Sequence, residues 1–459
     1  MHSIKINEKV YTVSEGTLLS DALMSIGGNA HHPCGGKGIC RKCTVLVDGR
    51  EELSCQYVIN SDISVSLPEE RLISTDEKET IIAPAEDILC LDIGTTTLAM
   101  EVLSSQGEEL SCRLTGINPQ GVYGADVISR IEYCTKNGVE SLQTALVATI
   151  NESIEYSATT ADKMYVSGNT TMLHTLLGVD CSSMGTYPYK PQFLESRCIS
   201  AESIGIRGVK WIETLPCISA FIGADIVAGI NCLEAPSEGK YNLLVDLGTN
   251  AEIALVGCGE VITTSAAAGP CLEGVGISCG MSATSGAIYS YSEQGYRAIG
   301  HTEPRGICGT GLVDIVAHLL RKGIVDETGY MEDSYEIADG VTITEGDIRH
   351  YQLAKSAICS GIVALLRSNN ISFDMIDRVY ISGGFSQGIN IDNAVYTGLL
   401  PRELYGRCEC INNSSLKGTV KYALGKDDLS WIFTARYEDM SQNTLFSELF
   451  IENMSFYNE

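Results

Sequence analysis

Residues Leu89–Val102, LCLDIGTTTLAMEV, and Leu243–Leu255, LLVDLGTNAEIAL, repeat one pattern. Each is an apolar run that enters Asp-x-Gly-Thr and leaves in a second β-rich run, as a hairpin with a tight turn would. Glycine in such a turn lets backbone N–H groups approach an anion with no Cβ in the way, and threonine hydroxyls add donors. A carboxylate beside a phosphate would repel it, so Asp92 and Asp246 make sense with a hard cation such as Mg²⁺ between them and the oxygens. One copy would be explained by ordinary hairpin chemistry. Two copies imply a phosphate chain gripped from both sides.

A third stretch, Arg378–Phe385 (RVYISGGF), is an apolar strand that ends in a glycine pair, with a helix able to start near Asn390 or Asp392. Taken together, the three stretches resemble the phosphate 1, phosphate 2 and adenosine motifs, in that order, of the superfamily holding actin, heat-shock chaperone ATPases, and acetate and sugar kinases. The resemblance implies ATP and Mg²⁺ as ligands. It gives Asp92 and Asp246 the task of orienting Mg²⁺ and its waters. Gly94, Thr95, Thr96, Gly248, Thr249 and Asn250 would bind phosphates, and Gly383 and Gly384 would lie against the adenosine.

Other stretches carry weaker signals. In RGICGTGLVDIVAHLL (305–320) a helix N-terminus after Gly309-Thr310-Gly311 is a ready anion or nucleotide site, although glycine punctuation alone explains it. The base that positions the attacking water has two candidates. Asp126 equally suits a helix N-cap, and Glu252 equally suits a solvent-facing strand position. His174, in TMLHTLL, falls on an apolar helical face, where a hydrogen-bonded core histidine is expected.

At 459 residues the chain can bury ample core and divides into about two to four domains. Hydrophobic residues at 44% and charged residues at 19% describe a globular protein. No apolar run reaches the roughly 18 residues of a membrane span, and Met1–Val13 alternates like a strand instead of reading as a signal peptide. A cytoplasmic location is expected. The formal net charge of −27 argues against nucleic acid or an anionic membrane as partner. Eighteen cysteines in so long a chain point to a reducing compartment and a metal cluster, not to a disulfide framework.

The cluster has an obvious place. Strand-like residues 2–13 and 44–48 surround a helix-like Leu18–Ile26 and the run His32-Pro33-Cys34-Gly35-Gly36-Lys37-Gly38-Ile39-Cys40-Arg41-Lys42-Cys43, with Cys55 following. Four thiolates at C-x5-C-x2-C-x11-C hold a 2Fe-2S cluster, and glycines between the first two let N–H groups bond the sulfides. Zinc is the rival, since four thiolates suit it as well. The segment resembles 2Fe-2S ferredoxins of the C-x5-C-x2-C type, which implies a β-grasp fold with Cys34, Cys40, Cys43 and Cys55 as ligands. In most such domains the fourth cysteine lies much further along, so a loop is shortened here.

The expected architecture is therefore an α+β β-grasp ferredoxin domain (1–67), a charged linker (68–87) and a two-lobed α/β actin-like ATPase domain (88–459). Lobe I would cover about 88–220 and lobe II about 221–440, with the C-terminal segment packing back. A ferredoxin followed by these motifs closely resembles the reductive activators of corrinoid proteins. The resemblance implies ATP-driven return of an inactive Co(II) corrinoid to Co(I) for a methyltransferase system, in anaerobic metabolism. The electron would pass through the cluster from a donor the sequence does not identify, and a homodimer is compatible. Many members carry a further domain between ferredoxin and ATPase, for which a linker of about 20 residues has no room. Three other readings compete. The activators of 2-hydroxyacyl-CoA dehydratases hold a 4Fe-4S cluster between subunits, which would fall to Cys271, Cys279 and Cys308. The others are a small-molecule kinase with an accessory ferredoxin, and a redox-sensing module that binds nucleotide without turnover.

Overall fold

Strands Asp87–Ile93 and Thr97–Leu103 form one antiparallel hairpin, and Tyr241–Leu247 and Ala251–Gly257 form another. Both are central to their sheets. The computed structural model describes residues 1–6, 9–25, 43–66, 73–74, 87–103, 110–157, 159–384, 386, 388–425 and 429–457. The chain divides into two compact units, Met1–Pro216 and Cys217–Glu459.

The first unit opens with a five-stranded sheet in the order Lys9–Val13, His2–Ile6, Ile63–Ser66, Thr44–Val47, Arg50–Leu53. His2–Ile6 runs parallel to Ile63–Ser66 and the other pairs are antiparallel. Alternation decides which face is buried: Ile4, Ile6, Val45, Val47, Ile63 and Val65 point inward against Leu19 and Leu23 of the helix Leu19–Ser25. Each such side chain contributes about 1.5–3 kcal/mol on burial. Asp48 and Gly49, at φ 50° and 80°, make the two-residue turn between Thr44–Val47 and Arg50–Leu53.

The rest of the first unit is a seven-stranded sheet. Its order is Cys198–Ser200, Val209–Thr214, Ala161–Gly168, Asp87–Ile93, Thr97–Leu103, Leu110–Ile117, Ile73–Ser74. Most of the expected linker lies outside the described residues, but Ile73–Ser74 pairs with Leu114 and Thr115 as an edge strand, so that part of 68–87 is not a free tether. The second unit holds a six-stranded sheet in the order Cys408–Cys410, Ile376–Ser382, Tyr241–Leu247, Ala251–Gly257, Glu260–Ala266, Ala435–Tyr437.

The two sheets share a topology. In each, three consecutive strands form an antiparallel meander, and a fourth and fifth strand add in parallel on the other side of the first. Helices fill the crossovers, as parallel connections require. In the first unit these are Val127–Asn137, Glu140–Ser157 and Thr170–Leu176. In the second the longest is Glu345–Ser368, which Thr344 caps with a reciprocal bond from Asp347, and which is buried for most of its length.

One face of that helix carries polar groups into the core, where the end of the chain satisfies them. Gln352 donates to Met454 O, the buried Lys355 ammonium to Ser455 O, and Ser356 to Phe450 O, while Asn453 donates to Ser360. Phe456 is buried and its ring stacks on that of Tyr351. The C-terminal segment meets this helix mainly through its backbone carbonyls. Among the described residues no helix is long and apolar enough to cross a membrane.

Candidate functional site

The phosphate 1 turn, residues 94–96, joins Ile93 to Thr97. A Cβ on Gly94 would lie 2.8 Å from Thr97 O, so the turn itself demands glycine. Its carbonyls are all engaged. Gly94 O accepts from Asn118 Nδ2 at 2.7 Å, Thr95 O from Arg130 Nη2 at 2.6 Å and Thr96 O from Asn118 N at 2.8 Å. Asn169 Nδ2 donates to Thr95 Oγ1 at 3.0 Å. Asp92, half-buried on the preceding strand, accepts from Ser167 Oγ of the neighbouring strand at 3.4 Å.

In the phosphate 2 turn, Gly248 N donates to Asn250 O at 2.9 Å, and a Cβ on Gly248 would meet nothing closer than 3.5 Å. Here the turn could accept a side chain, so internal crowding does not require its glycine. Thr249 Oγ1 donates to Glu273 Oε1 at 2.7 Å. Asp246 stands opposite Glu252 in the ladder, and Glu252 opposite Ser265, so the three project from one face of the sheet. Burial, and after it the negative charges of Asp225 and Asp246, pushes the Glu252 carboxyl well above the usual carboxylate range.

The remaining sequence candidates fall into place individually. Gly383, at φ 101°, follows strand Ile376–Ser382, and a Cβ there would sit 2.1 Å from Leu247 O. Beside it, Gly384 faces open space. Gly309, Thr310 and Gly311 begin the helix Gly309–Arg321, buried, with the two glycines tight against Leu272 O and Ile288 O and Thr310 donating to Tyr289 O. Close packing accounts for that motif. Asp126 is the N-cap of Val127–Asn137, its carboxylate accepting from Ser129 N at 2.7 Å. His174 is a core histidine: Nδ1 bonds Thr170 O at 2.7 Å, Nε2 accepts from Gln192 N at 3.1 Å, and the ring stacks on Phe193. Burial lowers its basicity, so it is neutral.

Cys43 and Cys55 are buried and their sulfurs lie 3.2 Å apart. They flank the Asp48-Gly49 hairpin, Cys43 one residue and Cys55 two residues past its last strand pair, with Ser54 N donating to Cys43 O. Cys34 and Cys40 lie outside the described residues. Among the described residues no three His, Cys, Asp or Glu side chains gather to hold a metal directly, so Cys271, Cys279 and Cys308 do not form a ligand set there.

Asp225, Glu273, Asn118, Arg130 and Asn169 join the site's surroundings without a sequence signal. Each acts through a contact with a residue distant in sequence, which no local pattern reveals.

Two sheets of one topology, each carrying an Asp-x-Gly-Thr turn on its first hairpin, define the actin-like ASKHA class of nucleotide-binding folds. Family models described as "RACo middle region" and "C-terminal domain of RACo the ASKHA domain" match residues 88–235 and 240–459. The chain belongs to this family, the reductive activators of corrinoid proteins. It is 27% identical to the "Corrinoid activation enzyme RamQ" of Eubacterium limosum, with 92% of each chain covered. That alignment spans 557 positions against 459 residues here, so the relative has segments with no counterpart in this chain. It is 25% identical to a Co(II) methylated amine-specific corrinoid protein reductase of Methanosarcina barkeri, over 68% of this chain and 65% of that one. A solved structure titled "Reductive activator for corrinoid,iron-sulfur protein" superimposes with a TM-score of 0.71 at 25% identity, covering 99% of this chain and 98% of its own.

Proposed function

We propose that this protein is an ATP-hydrolysing reductive activase that returns a Co(II) corrinoid protein of a methyltransferase system to Co(I). The observation that carries the proposal is the pair of Asp-x-Gly-Thr hairpins at equivalent places in two like sheets, in a chain that matches a reductive activator of corrinoid protein over nearly its whole length. Residues 1–67 are read as a β-grasp ferredoxin, supported by their five-stranded mixed sheet over one helix. The buried Cys43 and Cys55 sulfurs, 3.2 Å apart, fit two ligands of one cluster, which Cys34 and Cys40 would complete. A 2Fe-2S cluster supplies a one-electron carrier.

Asp92 and Asp246 would each serve to orient Mg²⁺ through its waters, since carboxylates next to phosphate need a cation between. Gly94, Thr95, Thr96, Thr249 and Asn250 would donate to phosphate oxygens, Gly248, whose N–H is bonded to Asn250 O, would give the phosphates room to approach, and Gly383 and Gly384 would receive the adenosine. Burial and the neighbouring Asp225 and Asp246 carboxylates raise the proton affinity of Glu252, which weakens its negative charge beside Asp246. Thr249 is oriented by Glu273, which also makes Glu273 a candidate for placing the attacking water. ATP is needed because each ~59 mV uphill in a one-electron step costs a factor of ten. Nucleotide binding shifts the corrinoid equilibrium only by its differential affinity for the two states. The protein works in the cytoplasm.

The test is anaerobic absorption spectroscopy of the protein with reductant, ATP-Mg and a Co(II) corrinoid protein. Co(I) should appear only with ATP, and ATP turnover should rise when the Co(II) partner is added. Co(I) formed equally without ATP, or ATP consumed to phosphorylate a small molecule, would overturn the proposal.

A further inference from the structure

The motifs at 117–134 and 167–178, INPQGVYGADVISRIEYC and SGNTTMLHTLLG, converge beneath the phosphate 1 turn. Asn118 and Arg130 come from the first and Asn169 from the second, and together they hold the carbonyls of Gly94, Thr95 and Thr96 and the hydroxyl of Thr95. A planar trans peptide sets each carbonyl opposite the N–H of the next residue. Tying down Gly94 O and Thr95 O therefore turns the N–H groups of Thr95 and Thr96 away from Asn118 and Arg130. Both N–H groups thus point to the same side of the turn, the orientation that an anion-binding turn uses. Asn169 uses a lone pair of the Thr95 hydroxyl, which keeps its proton for donation.

Arg130 is the centre of this brace. It is 1% exposed, donates Nε to Gly124 O at 3.0 Å, and sets Nη1 3.2 Å from Met172 Sδ and 3.5 Å from Gln120 Oε1. Gln120 in turn donates to Leu142 O and Thr175 Oγ1, both at 3.0 Å. One planar guanidinium thus reaches Thr95, Gly124, Gln120 and Met172 together, which a lysine ammonium could not do. Its charge lies in a low-dielectric interior next to a turn meant for phosphate, where fields are screened least.

We infer that Arg130 is a positioning residue for the nucleotide phosphates: it holds residues 94–96 in the anion-receiving form and sets affinity for phosphate, not for adenosine. The inference rests on reading this hairpin as the phosphate 1 site. Its test uses the full-length protein and three variants, Arg130→Lys, Arg130→Met and Asn169→Ser, each titrated calorimetrically with ATP-Mg and with adenosine and each checked by thermal unfolding. Asn169→Ser retains an N-cap for Thr170–Leu176 while losing the reach to Thr95. ATP affinity should fall about tenfold or more in Arg130→Met and about three- to tenfold in the other two, with adenosine affinity within about twofold of wild type. Should Arg130→Met not fold, Asn169→Ser carries the same comparison. Equal losses for ATP and adenosine would reduce the brace to general support and overturn the inference, as would unchanged ATP affinity in folded variants. A wild-type protein that takes up no ATP would overturn the phosphate 1 reading itself and this inference with it.

Discussion

Cys43 and Cys55 bring their sulfurs to 3.2 Å across the open end of a hairpin whose turn is Asp48-Gly49. The ladder of Thr44–Val47 with Arg50–Leu53 and its two-residue turn bring the two cysteines to the same end of the hairpin, with Ser54 opposite Cys43 and Cys55 one residue further on.

Protein made anaerobically should contain about two iron and two sulfide per chain. Cys43→Ser replaces a soft thiolate by a poor iron ligand and should lose the cluster's absorption and corrinoid reduction, while ATP binding stays. A subdomain of this size draws only about 3–5 kcal/mol from its core, so the variant should also unfold first at its N-terminal end. Stoichiometric zinc with no iron would contradict the cluster assignment.

Asp246→Ala should abolish ATP hydrolysis and leave the cluster spectrum unchanged, because Asp246 and the cysteines belong to different units. Turnover at the wild-type rate would remove Asp246 from the magnesium site.

Gly383 and Gly384 are adjacent and should respond oppositely. Gly383→Ala meets Leu247 O at 2.1 Å and a positive φ, and should destabilise the second unit by about 3 kcal/mol or more. Gly384→Ala meets nothing and should leave stability alone while weakening ATP and adenosine alike. Urea unfolding and nucleotide titration of the two variants decide it. An inert Gly384→Ala would take the adenosine away from this pair.

Burial holds the Lys355 ammonium down at about 8, against 10.5 in an unfolded chain. Between those values the unfolded state binds the proton more strongly, so this residue's share of stability rises with pH across the window; below about 8 both states are charged and the penalty is full. Comparison with Lys355→Met isolates it from other titrating groups. The stability of wild type relative to the variant should grow by on the order of 3 kcal/mol from below pH 8 to above pH 10. Urea unfolding at several pH values reads this out, and a gap that narrows as pH rises would refute it.

Local pattern made much of this protein readable. The hairpins at Asp92 and Asp246 and the cysteine spacing are short-range features, and their repetition announced two like sheets. Asp126 and His174 were readable too, since a cap and an apolar helical face are also local. Arg130 was not, because its partners Thr95, Gly124 and Met172 come together only through the tertiary fold. Glu252 was ambiguous for the same reason: strand alternation gives its face, but the carboxylate of Asp225 arrives from the helix Ala224–Cys232. Ile73–Ser74 lies in a charged, proline-containing stretch, and its edge pairing needs a neighbouring strand that sequence alone does not supply.

Lys355 and Ser455 are 100 residues apart. At about 5–20 residues per second, a ribosome takes roughly 5–20 s to travel from one to the other. Throughout that interval the helix Glu345–Ser368 has emerged, or is emerging, with Gln352, Lys355 and Ser356 still awaiting the carbonyls that will receive them. Its apolar flanks wait as well, since Phe456 and Leu449 close over the same core last. The nascent second unit is therefore sticky and unfinished for seconds on the ribosome, and the yield of the protein in a cell should depend on chaperones that attend the growing chain.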